Sequence, residues 1–331
     1  MTRDDFSPEI SVVITTLEDY RSIETTIEHL HEQTVRNLIE LVIVAPSVEK
    51  LHLAESLMKV FWDYQVIGVG PILSIARANA EGIRQARGAI VALTEDHCFP
   101  DPDWAEALIA AHREACVAVG PVIRNANPST MVSWSDFLIG YGPWIEPTSK
   151  GQVSFLPGHN SSYKRKVLLE YGDQLENMLE SETVMHLDLN RKGYRLCIEP
   201  AARAAHVNFS LMSCWLPVQL YAGRVFAGNR IISWSLPRRL LYGIASPLIP
   251  IIRLWRIWRE LSRPGRPRHL MVRLLPMLII GLLFDGAGQM IGYLMGQGSA
   301  SHKLGQYEFN RVNYITEEDR KALKKLRSKE P

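Results

Sequence analysis

Short runs of apolar, mostly β-branched residues alternate with helical patterns along the first third of the chain. The run from Ile10 to Thr16, ISVVITT, predicts a buried strand, and ELVIVA, YQVIGVG and AIVAL predict three more. Apolar residues at helical spacing lie between these runs, behind the possible cap Ser22, from Val48 to Trp62 and from Ser74 to Arg87. This alternation predicts an α/β fold with a doubly wound, Rossmann-like parallel sheet that is covered on both faces. Ligands of such sheets bind beyond the carboxyl ends of the strands.

An acidic segment, LTEDHCFPDPDW, begins where the fourth predicted strand ends. Its charged residues have three explanations: a helix cap with a solvated loop, a metal site, or an acid–base pair. Asp101 or Asp103 is enough to start the next helix, so Glu95, Asp96 and His97 are not needed as caps. Carboxylates with one imidazole suit Mg²⁺ or Mn²⁺. Such a cation would neutralise a diphosphate that binds at the end of the sheet.

Composition excludes several classes of protein. The 331 residues are 47% hydrophobic and 22% charged, which is typical of a globular protein and not of a disordered one. The net charge of +2 gives no indication of nucleic acid as a partner. The polar N-terminus, MTRDDFSPE, does not resemble a signal peptide, so we expect the catalytic part to be cytoplasmic. Because the four cysteines form no CxxC pair, we expect neither a disulfide framework nor a structural zinc site.

The C-terminal part differs in composition from Leu236 onward. Two apolar stretches flank a segment with seven arginines and one acid, Glu260, between Arg253 and Arg273. Arginines with Trp255 and Trp258 nearby suit a cytoplasmic membrane face, as interfacial helices or as a re-entrant hairpin. An oligomer-forming helical subdomain is the alternative. We therefore expect three parts: a catalytic domain over 1–236, a membrane-associated segment over 237–300 and a charged tail over 301–331, which forms either a helix or an extended tail.

Four segments, in order and spacing, resemble the family 2 inverting glycosyltransferases, which have the GT-A fold. The most specific is ARANAEGIRQARGAIVALTEDHCFPDPDW, and the resemblance extends from Ile10 to Asn208. It implies that Glu95, Asp96 and His97 occupy the position of the family's DxD-type triplet. That triplet holds a divalent cation, here Mn²⁺ or Mg²⁺, on the diphosphate of the donor and contacts its ribose. His206 matches a late histidine that completes this site in some members, although a lone histidine on an apolar strand is often structural.

The same resemblance implies a general base. The family's base is the aspartate of an ED pair before a helix, and that position is Glu182 here, preceded by Ser181. Glu182 would take the proton from the acceptor hydroxyl. The alternative is a helix N-terminal acid that the dipole stabilises, and Glu180 is the nearest rival for the role of base.

Further residues are carried over from the family's motifs. The donor-binding residues are Thr15, Thr16 and Glu18 of the first loop and Arg77 of the following Arg/Asn-containing helix, together with Glu95 and Asp96. The residues expected at the donor sugar or acceptor are Trp104, Gly158, His159 and Asn160.

The sequence therefore predicts a metal-dependent inverting glycosyltransferase that moves a sugar from a nucleotide-sugar donor to a glycan or lipid-linked acceptor. The family usually has an aspartate after the second strand, where this chain has Ala45 and Pro46, so a UDP-sugar is the default donor and not a deduction. An inactive nucleotide-sugar-binding scaffold is one alternative. A nucleotidyltransferase is another, but it calls for a glycine-rich, lysine-containing loop that TTLEDYRS lacks.

Overall fold

The computed structural model describes residues 7–17, 20–49, 51, 53, 55–309 and 311–328. The chain divides into two compact units. The first consists of Met1–Ile123 and Thr148–Ala205, and the second of Arg124–Pro147 and His206–Pro331.

The first unit is built on a mixed sheet. Within the described residues the sheet has nine strands, in the order β3-β2-β1-β4-β8-β6-β9-β5, with β7 paired to β9. The strands β1 to β4 are parallel to one another, as their registers show. The strands are β1 Ile10–Thr15, β2 Ile39–Ala45, β3 Asp63–Gly68, β4 Ile90–Thr94, β5 Cys98–Pro100, β6 Cys116–Asn125, β7 Gly151–Val153, β8 Ser162–Lys164 and β9 Arg195–His206.

Helices flank this sheet and form most of the second unit. The helices are α1 Tyr20–His31, α2 Glu55–Met58, α3 Ile75–Gln85, α4 Trp104–His112, α5 Met131–Tyr141, α6 Arg165–Leu169, α7 Leu175–Leu179, α8 Glu182–Arg191, α9 Met212–Arg230, α10 Leu236–Ala245, α11 Ile249–Leu261, α12 Leu270–Met295, α13 Ala300–Glu308 and α14 Glu317–Ser328.

The parallel strands β1, β2 and β4 are buried on both faces, as their continuous apolar runs predict, whereas the edge strand β3 is partly exposed. Val12 and Ile14 of β1 pack in a core with α1 residues such as Ile27. On the other face, a Cβ added to Gly82 of α3 would lie 2.5 Å from Val13. The sheet order reverses between β3 and β4, so α3 covers the opposite face from α1. The predicted doubly wound α/β sheet with a C-terminal apolar helical appendage is confirmed.

Two predictions of secondary structure were wrong. Among the described residues, the helix expected from Val48 to Trp62 is α2, Glu55–Met58, and the buried Leu51 and Phe61 lie outside it. The sheet is not purely parallel either, since β8 runs antiparallel to both β4 and β6. A three-residue strand has too little sequence to show its direction.

The sequence predicts no disulfide framework, but one disulfide forms. Cys116 begins β6, Cys197 lies in β9, and these two buried residues are joined by a disulfide. Neighbouring strands of the sheet bring them together although 81 residues separate them in sequence. Such a tertiary pairing leaves no local signal in cysteine spacing.

The second unit is organised around a buried acid, Asp136 of α5. Its carboxylate accepts hydrogen bonds from Phe209 N, Trp215 Nε1 and Gln219 Nε2, each at 3.0 Å. It also forms an ion pair with Arg311, whose Nη1 lies 3.0 Å from Oδ2. Because this network joins α5 to chain segments after residue 206, the two compact units do not follow the boundaries expected at 236 and 300. Of the two alternatives for the residues after 300, the described residues show helices, α13 and α14.

Among the described residues of the second unit, two helical segments are long and apolar enough to cross a membrane by length and composition. They are Leu236–Leu261, which includes α10 and α11, and Leu270–Met295, which is α12. Of their most apolar stretches, 17% and 39% of the residues, respectively, are buried inside the protein. Both segments therefore present many apolar side chains outward.

Candidate active site

The first unit has a topological switch point between β1 and β4. From β1 the chain proceeds through β2 to β3 on one side and then returns to β4 on the other. Crevices at the carboxyl ends of two such strands are where doubly wound sheets bind ligands. Thr15 and Thr16 lie at the carboxyl end of β1, and Glu95 follows directly on β4.

The triplet after β4 is a buried turn. Glu95, Asp96 and His97 are 9%, 8% and 2% exposed, and the turn closes through a hydrogen bond from Cys98 N to Glu95 O. His97 Nδ1 lies 2.5 Å from Asp96 Oδ1, and its Nε2 lies 3.7 Å from Glu95 Oε1. With the proton on Nδ1, the ring donates to Asp96 and turns the lone pair of Nε2 toward the Glu95 carboxylate.

The side chains of the triplet are suitable ligands for a divalent cation. The separation of 3.7 Å between His97 Nε2 and Glu95 Oε1 is too long for a hydrogen bond. It is a separation that two ligands of one ion can span at ligand distances of about 2.0–2.2 Å. Metal-binding histidines commonly donate their other ring N–H to a carboxylate, and Asp96 Oδ1, 2.5 Å from His97 Nδ1, is placed to accept such a hydrogen bond. Mixed oxygen and imidazole ligands suit Mn²⁺ or Mg²⁺.

The antiparallel strand β8 brings a second segment to the same edge of the sheet. Ser162 pairs with Ala92 of β4, and Leu93 N donates to Ser161 O at 3.0 Å. Because β8 runs opposite to β4, the residues just before β8 lie beside the carboxyl end of β4. Asn160 Nδ2 therefore reaches Glu95 Oε2, to which it donates at 2.6 Å. Asn160, which we expected at the sugar or acceptor, thus binds Glu95 of the triplet.

Glu182 is the first residue of α8 and is buried against the turn Gly158–Asn160. His159 N donates to Glu182 Oε2 at 2.8 Å, and His159 Nδ1 lies 3.5 Å from Oε1. A Cβ on Gly158 would lie 2.6 Å from Oε2, so only glycine leaves room for the carboxylate. His159 has a φ of +58°, an uncommon conformation for a residue other than glycine, and its N–H points at the carboxylate.

Burial raises the pKa of Glu182, and the negative charge of Glu95 adds to this rise. The nearby His159 imidazole and the hydrogen bond from His159 N act in the opposite direction. A carboxyl group whose pKa lies above its ordinary range holds a proton more strongly, which is the property required of a general base near neutral pH. Glu182 and Glu95 are thus electrostatically coupled, and the turn Gly158–Asn160 contacts both.

The predicted donor-binding residues near β1 occupy two environments. Thr15 Oγ1 donates to Asn79 Oδ1 of α3 at 3.2 Å, and Thr16 is fully buried with its hydroxyl 2.7 Å from Ser22 Oγ. Arg77, in the first turn of α3, is exposed. Glu18 lies outside the described residues. Asn79 was not singled out from the sequence, although it belongs to the motif ARANAEG that marks this helix.

Two other predicted site residues are Trp104 and His206. Trp104 begins α4, is 2% exposed and packs in the main hydrophobic core, so the acceptor role given to it was wrong. His206 ends β9 and belongs to the second unit, where its ring lies 4.5 Å from that of Tyr141 and its Nδ1 lies 3.0 Å from Asn208 Oδ1. Its role as a further metal ligand stays a prediction.

Comparisons with known proteins bear on this site. Residues 11–172 match the family model described as Glycosyl transferase family 2. The glucosyl-dolichyl phosphate glucuronosyltransferase of Haloferax volcanii is 25% identical over 177 residues, which are 50% of this chain and 55% of that protein. The chain thus spans about half the length of this curated relative.

Solved structures of low sequence identity are also similar. A structure of GalNAc-T7 with UDP, GalNAc and Mn²⁺ has a TM-score of 0.49 and 15% identity, covering 71% of this chain and 53% of that chain. The mannosyltransferase PcManGT from Pyrobaculum calidifontis with GDP-Man and Mn²⁺ has a TM-score of 0.48 and 16% identity, covering 90% and 87%. The match over residues 11–172 contains β4, the triplet and the turn Gly158–Asn160, so this part of the chain is similar to glycosyl transferase family 2.

Proposed function

We propose that this protein is a divalent-metal-dependent, inverting glycosyltransferase in which Glu182 is the general base. One observation carries the proposal: the turn Gly158–Asn160 contacts Glu182 on one side and Glu95 on the other. One segment therefore holds both a carboxylate that can accept a proton and a group of side chains that can bind a cation. Inverting transfer needs these two groups, one for the acceptor and one for the leaving diphosphate.

The residues of the chain divide the reaction between them. Glu182 accepts the proton of the acceptor hydroxyl, whose oxygen attacks the anomeric carbon from the face opposite the nucleotide. The bond from that carbon to the diphosphate oxygen breaks, and the oxygen keeps the electron pair. Glu95, Asp96 and His97 would hold a cation, which would supply positive charge to offset the charge of the leaving diphosphate. His159 N keeps the carboxylate of Glu182 in a fixed orientation.

The donor and acceptor are proposed only by class. Thr15, Thr16, Glu18 and Arg77 contact the nucleotide sugar, with a UDP-sugar as default, and Gly158 and His159 contact the sugar or the acceptor. The acceptor is a glycan or a lipid-linked sugar. The name of the Haloferax volcanii relative, which includes a dolichyl phosphate, supports the lipid-linked class.

We also propose that the protein lies at the cytoplasmic face of a membrane. Nine arginines and two acids from Leu236 to Met295 give this segment a strongly positive charge. Cytoplasmic leaflets carry anionic lipids, and arginines beside apolar helices accumulate on that side.

The experiment that tests the metal proposal uses the purified full chain, a panel of UDP- and GDP-sugars, and Mn²⁺. We expect a chelator to abolish release of the nucleoside diphosphate and Mn²⁺ to restore it. Asp96→Ala should weaken Mn²⁺ binding, followed by the signal of free Mn²⁺ in electron paramagnetic resonance, by about 10- to 100-fold. Asp103→Ala is the matched control, because Asp103 is exposed in the same loop and its side chain makes no cap hydrogen bond. Full turnover in excess chelator would exclude the metal.

A further inference from the structure

The helices α10, α11 and α12 present an outward apolar face within the second unit. We define this apolar face as their exposed apolar side chains, the most exposed of which include Leu241, Ile244, Ile251, Val272, Leu283 and Met295. Ile244 and Val272 are each 78% exposed. Exposed apolar side chains in such number on adjacent helices are unusual for a protein surface and mark an interaction site.

The two helical segments that form the apolar face run side by side in opposite directions. Added Cβ atoms on Gly243 and Gly286 would contact Leu294 and Pro250, respectively. Arg253 Nη1 lies 2.7 Å from Asp285 Oδ2, so the acid in the middle of α12 is neutralised inside the pair. The other acid of these segments, Glu260, accepts from Arg266 Nη1 at 2.9 Å. Neither acid therefore adds an unpaired negative charge to this surface.

Exposed arginines border the apolar face. Arg238 lies at its beginning, Arg256, Arg259 and Arg263 lie near the end of α11, and Arg273 lies in the first turn of α12. Arg259 packs over the ring of Trp255, which is 57% exposed. Tryptophan and arginine at the border of an apolar surface are typical of the membrane–water interface, and the positive border is complementary to anionic headgroups.

The packing around α9 limits how the helices of the apolar face can be oriented relative to a bilayer. On one side of α9, Gly288 of α12 lies against the backbone of Leu220. On another side, Tyr307 of α13 packs against Tyr221, and Lys303 Nζ lies 5.5 Å from that ring. At the level of residues 220–221 the bundle is thus apolar on one side and polar on the other. If the bundle crossed the hydrocarbon core, the exposed Lys303 and its helix would lie in lipid.

The turn between α11 and α12 is held to the same unit. Arg266 is buried and donates to the carbonyl oxygens of Pro147, Gly142 and Pro143 at 3.0, 3.3 and 3.1 Å. At the other end of the pair, Arg239 donates to Tyr293 O and Leu294 O. Both ends are therefore fixed to neighbouring helices or loops, and the pair cannot extend away from the unit as an independent hairpin.

From this arrangement we propose that the apolar face inserts into one leaflet of an anionic bilayer, with α10–α12 lying in the membrane plane and α13 facing water. The inference gives the mode of the membrane association that belongs to the proposed function, and it does not depend on the sugar-transfer chemistry. The border arginines contact the headgroups, and the side chains between them enter the acyl region.

The experiment uses the full chain and sealed vesicles of phosphatidylcholine, with or without phosphatidylserine. We expect the protein to float with the anionic vesicles. The double variant Ile244→Asp, Ile251→Asp should reduce binding at least ~10-fold, because both side chains are exposed and would place charge in the acyl region. Lys303→Asp is the matched control and should bind as the parent does. Unchanged thermal unfolding and unchanged donor hydrolysis without vesicles show that a variant is folded.

The orientation of the helices is measured with cysteine variants and a membrane-impermeant thiol reagent that is added outside the vesicles. The labelling of the parent chain, which has free cysteines of its own, is subtracted from that of each variant. In-plane insertion predicts that Ser235→Cys, Arg263→Cys and Lys303→Cys all react before the vesicles are lysed. Protection of either Ser235→Cys or Arg263→Cys until lysis would show a spanning helix and overturn the proposal. A chain that ignores anionic vesicles and instead forms an oligomer that Ile244→Asp disrupts would also overturn it. Donor hydrolysis reports on sugar transfer separately in each case.

Discussion

The main-chain nitrogen of His159 lies 2.8 Å from Oε2 of Glu182, so a turn before β8 fixes a carboxylate that lies 23 residues later in the chain. The contact leaves Oε1 as the oxygen that can accept a proton from an acceptor. It depends on the left-handed conformation of His159, φ +58°, and on the missing side chain of Gly158. The position of the base is thus set by backbone atoms.

Gly158→Ala should therefore lower turnover. The new Cβ would lie 2.6 Å from Glu182 Oε2, and the carboxylate must move away from its hydrogen bond with His159. A displacement of this size at a reacting group costs about 10- to 100-fold in rate. We expect kcat for donor hydrolysis to fall by that factor while donor binding changes little. Gly305→Ala, where the added Cβ meets only the Phe309 ring at 4.0 Å, is the control, and equal losses in both variants would contradict this explanation.

Stability should depend on pH through Glu182. Burial raises the pKa of this carboxyl group in the folded state, so the folded state binds its proton more tightly than the unfolded state does. The wild type then loses stability as pH rises from the ordinary glutamate range, near pH 4.5, through the raised folded pKa. Glu182→Gln removes this ionisation. In the presence of chelator, the difference in melting temperature, variant minus wild type, should therefore increase from pH 5 to pH 8. A difference that stays constant over this range would contradict the raised pKa.

The disulfide gives a third prediction. With Cys116 and Cys197 joined, alkylation of the purified, denatured protein should modify two of the four cysteines without reductant and four with it. Mass spectrometry counts the modified thiols. Disulfides are rare in a reducing cytoplasm, so the same count on cells quenched in acid also tests the proposed location of the domain. Four free thiols in the purified protein would contradict the disulfide.

Much of the fold could be predicted from the sequence because β1, β2 and β4 are buried on both faces and the strands β1 to β4 alternate with helices. β8 could not be predicted in the same way. It has three residues, Ser162–Lys164, and its pairing with β4 and β6 is decided by tertiary contacts. That one antiparallel strand is what carries Asn160 to Glu95, so the geometry of the site depends on the element with the weakest sequence signal.

The site was predictable where a motif is local. Glu95, Asp96 and His97 are adjacent in sequence, and the order of charged residues after a buried strand indicated their place. The contact of Glu182 with His159 joins two segments that meet only through tertiary packing. No motif spacing in the sequence predicts this contact. Trp104 was assigned to the wrong environment from the sequence. An aromatic residue after PDPD suits either a sugar-binding site or a hydrophobic core, and only the packed structure shows that Trp104 lies in the core.

The most direct test of the account is donor hydrolysis by Glu182→Gln, with water as the acceptor and the release of nucleoside diphosphate as the signal. The glutamine keeps the shape and can still accept from His159 N, but it cannot take a proton. We expect kcat to fall by ~10²-fold or more, with donor binding and Mn²⁺ binding near those of the wild type. Glu180→Gln, two residues earlier, should retain most of the turnover. If Glu182→Gln keeps its turnover and Glu180→Gln loses it, Glu182 is not the base.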